Sequence, residues 1–182
     1  GMLESFFQSV VARTAGFYSV ELSNIKVSTS LLLIGLMFIG GSPGSTAGGI
    51  KTTTFGVLVI STISVIKREK EPVVFKRSIS DESIKKALSI FMVSLAIVLL
   101  VSFTISITDD FSFIDTLYET VSALATVGAS RGITAELSDI AKILLGFCMY
   151  LGRIGPMTMA FAFGLKAEDK LIKYPETFIS LG

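Results

Sequence analysis

A chain of 182 residues in which 51% of the side chains are hydrophobic, with a mean hydropathy of +0.72, is far more apolar than a soluble domain that must face water. The net charge of +1 says little. The absence of histidine and the presence of a single cysteine, Cys148, exclude histidine general-base chemistry, disulfides and any Cys/His zinc site.

The chain opens on Gly1-Met2-Leu3-Glu4, with no basic stretch followed by a long apolar run, so no signal peptide is expected. A glycine ahead of the methionine reads either as a cloning scar or as the interior of a longer protein. The spacing then predicts a short amphipathic helix before Thr14-Ala15-Gly16 and a capped restart at Ser23. An uncharged run follows from Val27 to Ile50. That run is long enough to cross the roughly 30 Å hydrocarbon core of a bilayer. From Lys26 to Ile66 a single helix would measure about 60 Å, so a break is expected, and Gly40 to Thr54 supplies it.

The linker from Lys67 to Lys86 carries Lys67, Arg68, Lys70, Lys76, Arg77, Lys85 and Lys86, interleaved with Glu69, Glu71, Asp81 and Glu82. The interleaving favours a solvated loop that sets topology over a nucleic-acid surface. A second uncharged span, Ala87 to Thr108, leads to the acidic turn with Asp109, Asp110 and Asp115. Basic linkers stay in the cytoplasm, which puts the acidic turn outside. A third span, Ile143 to Leu165, is apolar except for Arg153, and the tail with Lys166, Lys170 and Lys173 returns to the cytoplasmic side.

An internal repeat organises these elements. Phe6 to Gly16 aligns on Tyr118 to Gly128 at an offset of 112, each copy ending in Thr-x-Gly, and Met37 to Gly40 aligns on Met149 to Gly152 at the same offset. Glu21 to Ile25 matches Glu136 to Ile140 at an offset of 115, so the second copy has the longer turn. Each copy thus reads as a helix too brief to span, a glycine turn, a restart capped at Ser23 or Ser138, and an apolar helix. This is the layout of a re-entrant loop. Non-helical backbone at membrane depth is tolerated only where it is buried in protein or lines a watery cavity. Rings of backbone carbonyls there replace the hydration shell of a cation.

The segment Gly40-Gly41-Ser42-Pro43-Gly44-Ser45-Thr46-Ala47-Gly48-Gly49-Ile50-Lys51-Thr52-Thr53-Thr54 invites a rival reading. Gly44 to Thr52 approximates the Walker loop of a nucleotide-hydrolysing enzyme, but Ile50 intervenes before Lys51-Thr52 and would turn the lysine away from phosphates. The flanking apolar runs also exceed a buried strand. A broken membrane helix with a polar constriction, or gate, fits better. Arg153 in an apolar span should face the interior and meet a partner. By the repeat it stands opposite Gly41, beside the break.

These residues resemble the Ktr/Trk/HKT superfamily of cation transporters, in particular its KtrB-type membrane subunit. Val11 to Phe17 resembles the third selectivity filter of that family and Ala125 to Gly128 the fourth. Gly40 to Thr54 resembles its intramembrane gating loop, Leu151 to Pro156 the helix with a characteristic arginine, and Lys173-Tyr174-Pro175-Glu176 with Gly182 its C-terminus. The resemblance implies an all-α membrane protein of repeated helix, pore loop, helix units around one pore. Residues 1–66 would be the third unit without its first helix, 67–86 a cytoplasmic linker, 87–165 the fourth unit and 166–182 a cytoplasmic tail. Thr14, Ala15, Gly16 and Phe17 with Thr126, Val127, Gly128 and Ala129 would bind the ion, and Gly40 to Thr54 (all but Ile50) with Arg153 would form the gate. The resemblance further implies potassium as the transported ion, or sodium in some members, and no covalent cofactor. Glycine at each filter position goes with potassium and serine in one unit with sodium. Also implied are contact with membrane lipid, a homodimer, a cytosolic ring of nucleotide-binding regulatory subunits, and a multi-pass place in the bacterial inner membrane. Ala129-Ser130-Arg131 departs from the family's Leu-Ser-x pattern. Arg131 then reads either as a charge at the outer mouth that disfavours cations or as a solvent-facing side chain.

Overall fold

A computed structural model of the chain describes residues 1–17, 22–45, 47–69 and 71–155. Glu21, Thr46, Lys70, Pro156 and the tail from 157 to 182 lie outside the described residues. So do the expectations for Ile143 to Leu165 beyond Gly155 and for the C-terminal signature. The described chain is helical apart from one small hairpin.

The first helix, α1 (Met2–Val11), and its repeat partner α5 (Phe113–Leu124) measure about 15 and 18 Å at the helical rise. Neither can cross a bilayer. Both end where the chain takes up left-handed backbone, which no α-helix can continue. A 3₁₀ turn, Leu22–Asn24, then precedes α2 (Val27–Phe38), and α3 (Thr52–Ile66) resumes after the glycine-rich segment. The uncharged run from Val27 to Ile50 is therefore not one crossing helix. It stops at Ile39, whose φ of −84° and ψ of 84° lie off the helical region.

Ser23 is not a helix cap either. It sits in the 3₁₀ turn, and Lys26 precedes the first helical residue of α2 without a side-chain cap. In the second copy Ser138 does cap α6 (Asp139–Ile154), its Oγ accepting from the Ala141 amide at 3.2 Å, a contact that satisfies one orphan N–H of the first turn. The Ser138 amide donates to Asp109 Oδ2 at 2.8 Å, pinning the start of α6 to the C-terminal end of the long helix two elements earlier.

That helix, α4 (Asp81–Thr108), is the one described helix long and apolar enough to cross a membrane. Its polar first turn has Ser80 as N-cap and Asp81 and Glu82 at the positive end of the helix dipole. At about 42 Å it exceeds the hydrocarbon thickness, leaving room for that turn outside. Between α3 and α4 the linker is not a plain loop. Val73–Val74 (β1) pairs antiparallel with Arg77–Ser78 (β2). Phe75 and Lys76 between them have φ of 46° and 66°, the geometry of a tight type I′ hairpin turn.

The helices pack around α5, which touches α2, α4 and α6, while α3 lies on α4. From Thr116 to Leu124 nearly every residue of α5 is buried, with Tyr118, Val121 and Leu124 in a core shared with Leu33, Ile34 and Met37 of α2 and Val98 of α4. On the far side Ala123 meets Ile105, Ala141, Leu145 and Cys148. By contrast α1 leaves Met2, Leu3 and Phe6 exposed. The architecture puts the C-terminal ends of two short helices, and the turns that follow, at the middle of the bundle.

Candidate functional site

Each Thr-x-Gly turn repeats one backbone pattern. Thr14 and Gly16 have φ of 67° and 73°, and Thr126 and Gly128 have 55° and 82°, with an ordinary residue between each pair. A β-branched residue at positive φ is a rare conformation. Its cost, of order 1–3 kcal/mol, persists only where surrounding structure imposes it. The alternation lets successive peptide groups face one way instead of alternating as they would in a strand. The two turns also face each other. A Cβ on Gly16 would lie 2.8 Å from the Val127 carbonyl oxygen, and one on Gly128 would lie 3.8 Å from the Gly16 Cα. Of the predicted ion-binding residues, Thr14 to Gly16 and Thr126 to Ala129 thus form two apposed backbone arcs, with Ala125, Val127 and Ala129 buried against the core. Phe17 projects into the open.

The glycine-rich segment closes on itself beneath this pair. Its ends are zipped by a parallel bridge between Ile39 and Ile50. Three hydrogen bonds add to it: Gly40 N–H to Ile50 O at 2.8 Å, Ile50 N–H to Phe38 O at 3.3 Å, and Thr52 N–H to Gly41 O at 3.1 Å. At its tip Ser42-Pro43-Gly44-Ser45 makes a β-turn, with Gly44 at φ 78° and the Ser45 amide on Ser42 O, as Pro followed by Gly favours. The Lys51 ammonium folds back onto the carbonyls of Ala47 and Ser45. This clasp returns donors to oxygens the broken helix would otherwise leave unpaired.

The loop touches the Thr126–Gly128 turn directly. The Gly48 amide donates to Thr126 Oγ1 at 2.8 Å. A Cβ on Gly48 would fall 2.6 Å from Thr126 Cγ2, and one on Gly49 would fall 3.2 Å from Ala125. Only bare backbone fits there. On α6, Gly152 packs as closely against the Leu124 carbonyl. Arg153 follows it on the last turn of α6, with its side chain exposed in this chain. Thr52, Thr53 and Thr54 form the first turn of α3, where Thr53 and Thr54 border a small cleft with Ser83 and Lys86 of α4.

Behind the Thr126–Gly128 turn lies a polar cluster that the repeat did not reveal. Glu119 Oε1 accepts from Ser130 Oγ at 2.5 Å and from the Arg131 amide at 3.0 Å, while Thr134 Oγ1 donates to Glu119 Oε2 at 3.0 Å. The Arg131 side chain, only 9% exposed, turns inward. Its Nε lies 2.6 Å from Asp115 Oδ1, Nη1 donates to Ser30 Oγ, and Nη2 donates to Ser23 O at 3.4 Å. The reading of Arg131 as a solvent-facing side chain is overturned, because the guanidinium is held by Asp115, Ser30 and Ser23. The available signal was the i, i+4 pair Asp115 and Glu119 on α5, where the first copy has Leu3 and Phe7.

Two apposed glycine turns thus lie inside an apolar helical bundle, each following a helix too short to cross a bilayer. A family model described as TrkH, cation transport protein, matches residues 1–174, and the chain belongs to this family. It is 43% identical over 180 residues to Ktr system potassium uptake protein B of Vibrio alginolyticus, covering 99% of this chain and 39% of that protein. It is 42% identical to the protein of the same name from Bacillus subtilis, over 98% of this chain and 40% of that one. Potassium/sodium uptake protein NtpJ of Enterococcus hirae is 37% identical, with 100% of this chain and 42% of the relative covered. The chain therefore spans about two fifths of the length of these relatives. In fold it is similar to the crystal structure of the potassium transporter TrkH from Vibrio parahaemolyticus, with a TM-score of 0.75 and 22% identity over 88% of this chain and 36% of that one. The family decides against the nucleotide-hydrolase reading of Gly44 to Thr52, whose backbone serves a loop closed on itself.

Proposed function

We propose that the protein is the ion-conducting component of a Ktr/Trk-type potassium uptake system in the bacterial inner membrane, crossed several times by the chain, and that this segment supplies its last two pore-loop units. Residues 1–66 act as the third unit without its first helix, 67–86 as the cytoplasmic linker, 87–165 as the fourth unit and 166–182 as a cytoplasmic tail. The observation that carries the reading is the matched left-handed pattern at Thr14, Gly16, Thr126 and Gly128, with the two turns apposed. Carbonyls of Thr14 to Phe17 and Thr126 to Ala129 substitute for water around a dehydrated potassium ion.

The loop from Gly40 to Thr54 gates the path below, and Arg153 adds a fixed positive charge beside it. Lipid covers outward apolar residues such as Leu100 and Ile107 of α4. Two copies assemble on a cytosolic regulatory ring. The hairpin supports a cytosolic partner, because Phe75 at its tip is 97% exposed beside Lys76 and Arg77. An exposed phenyl ring at a basic tip, with Val73 of the same hairpin also exposed, suits an anchor for a protein surface. The name of the Enterococcus hirae relative favours a second ion, sodium, as the alternative cargo.

Gly16→Ser in the complete transporter tests the filter. The substitution puts a side chain against the Val127 carbonyl and is expected to weaken discrimination against sodium in liposome flux. Unchanged selectivity would remove Gly16 from the filter.

A further inference from the structure

The polar cluster behind the Thr126–Gly128 turn belongs to neither the turn nor the gate, yet it ties the end of that turn to α5 and to α2. The turn leaves α5 through tight backbone bonds, with Ala125 N–H on Val121 O at 2.8 Å and Val127 N–H on Ser122 O at 2.9 Å. At its far end Ser130 Oγ and the Arg131 amide return to Glu119 on the same helix. The five residues from Ala125 to Ala129 are thus strung between two anchors on α5. The Arg131 side chain then reaches out of the unit. Its guanidinium pairs with Asp115 and reaches Ser30, which is fully buried on α2, and the carbonyl of Ser23, just after the first turn.

The Ser30 hydroxyl donates its own proton to Lys26 O at 3.3 Å, so its oxygen is free to accept from arginine. The contact between Arg131 Nε and Asp115 Oδ1 is a charge pair whose N–H is not aligned on the oxygen. Geometry there is therefore held by the other arms of the guanidinium as well as by Asp115. The first copy has Leu3 and Phe7 at the positions of Asp115 and Glu119, and Arg131 falls where the second copy's turn is longer.

We propose that Arg131 is a positioning residue for ion selectivity: with Asp115 and Ser30 it sets the separation between the two apposed turns. This rests on the reading of those turns as filter segments. Carbonyl rings discriminate by the number, spacing and field of their dipoles, and a strut between neighbouring segments fixes the spacing without touching the ion.

The test uses the complete transporter in liposomes, reading potassium against sodium flux, together with thermal unfolding in detergent with and without potassium. Arg131→Gln removes the charge and two arms of the strut and is expected to lower the flux ratio about tenfold and to shrink the extra stability that potassium confers. Arg131→Lys keeps the charge beside Asp115 but loses the reach to Ser23, and should recover part of the ratio. Ser30→Ala deletes one small acceptor, leaves folding intact, and should lower the ratio by a smaller factor. If Arg131→Gln cannot be recovered from membranes, the other two variants decide. Wild-type ratios in the variants, even with reduced total flux or stability, would overturn the proposal and make Arg131 a plain structural brace. A wild-type protein with no potassium preference would instead overturn the filter reading beneath it.

Discussion

Thr126 shows how one side chain joins a glycine turn to the glycine-rich loop. Held at φ 55°, it offers its hydroxyl to the Gly48 amide while its own carbonyl belongs to the Thr126–Gly128 turn. Gly48 has no room for a methyl group, since Thr126 and Ala125 stand within 3.0 Å of where it would lie. Overpacking of this kind costs typically 1–3 kcal/mol. Gly48→Ala should therefore weaken the loop's seat and raise basal flux, read by potassium efflux from liposomes, with little change in ion preference. Arg131 is a second case. Breaking a buried ion pair costs roughly 3–5 kcal/mol at full burial, and Asp115, at 23% exposure, retains some solvent. Asp115→Asn should lower the thermal midpoint in detergent by a measurable but smaller amount. The Thr-x-Gly turns were legible because glycine and a repeat leave a mark in sequence. The inward turn of Arg131 was not, because it depends on a buried hydroxyl on α2, 101 residues away in sequence.

Among the elements, the glycine-rich loop was legible as a break, and its physical form explains why it can be one. Ile39 and Ile50 are bridged, so α2 and α3 meet at a pinch and the intervening residues hang from it. Removing Gly41 to Gly49 should leave both helices in place and raise flux, and an unaltered or lower uptake rate would mark the segment as a packing kink. The Lys51 clasp makes a finer test. Lys51→Met retains the stem but loses the donors to Ala47 and Ser45, and should loosen the loop, with accelerated flux in the same assay. Two details escaped sequence reading for local reasons. Ser23 looks like a cap, but the chain spends it in a 3₁₀ turn before α2 begins. The β-hairpin was hidden because Phe75-Lys76 lacks the Asn-Gly or Asp-Gly signature of its turn.

At the level of the whole molecule, fold class followed from hydropathy and repeat, whereas packing around α5 needed the structure. The charge pattern predicts orientation, and cysteine labelling tests it once native thiols, the buried Cys148 among them, are replaced. In the complete protein, a cysteine replacing Lys76 at the hairpin should react with an impermeant reagent only from the cytoplasmic side, and one replacing Asp110 only from outside. The opposite pattern would invert the topology. Apolar side chains left open on α1, such as Met2 and Phe6, mark a face that a chain two fifths the length of its relatives does not fill. The bond between Gly48 and Thr126 has one more consequence. Because binding and conformational equilibria are reciprocal, an ion that changes the pose of Thr126 shifts the loop by the same free energy with which the loop alters that ion's affinity. A regulator acting on the loop from the cytoplasm would then change not only how often the pathway opens but how tightly the ion above it is held.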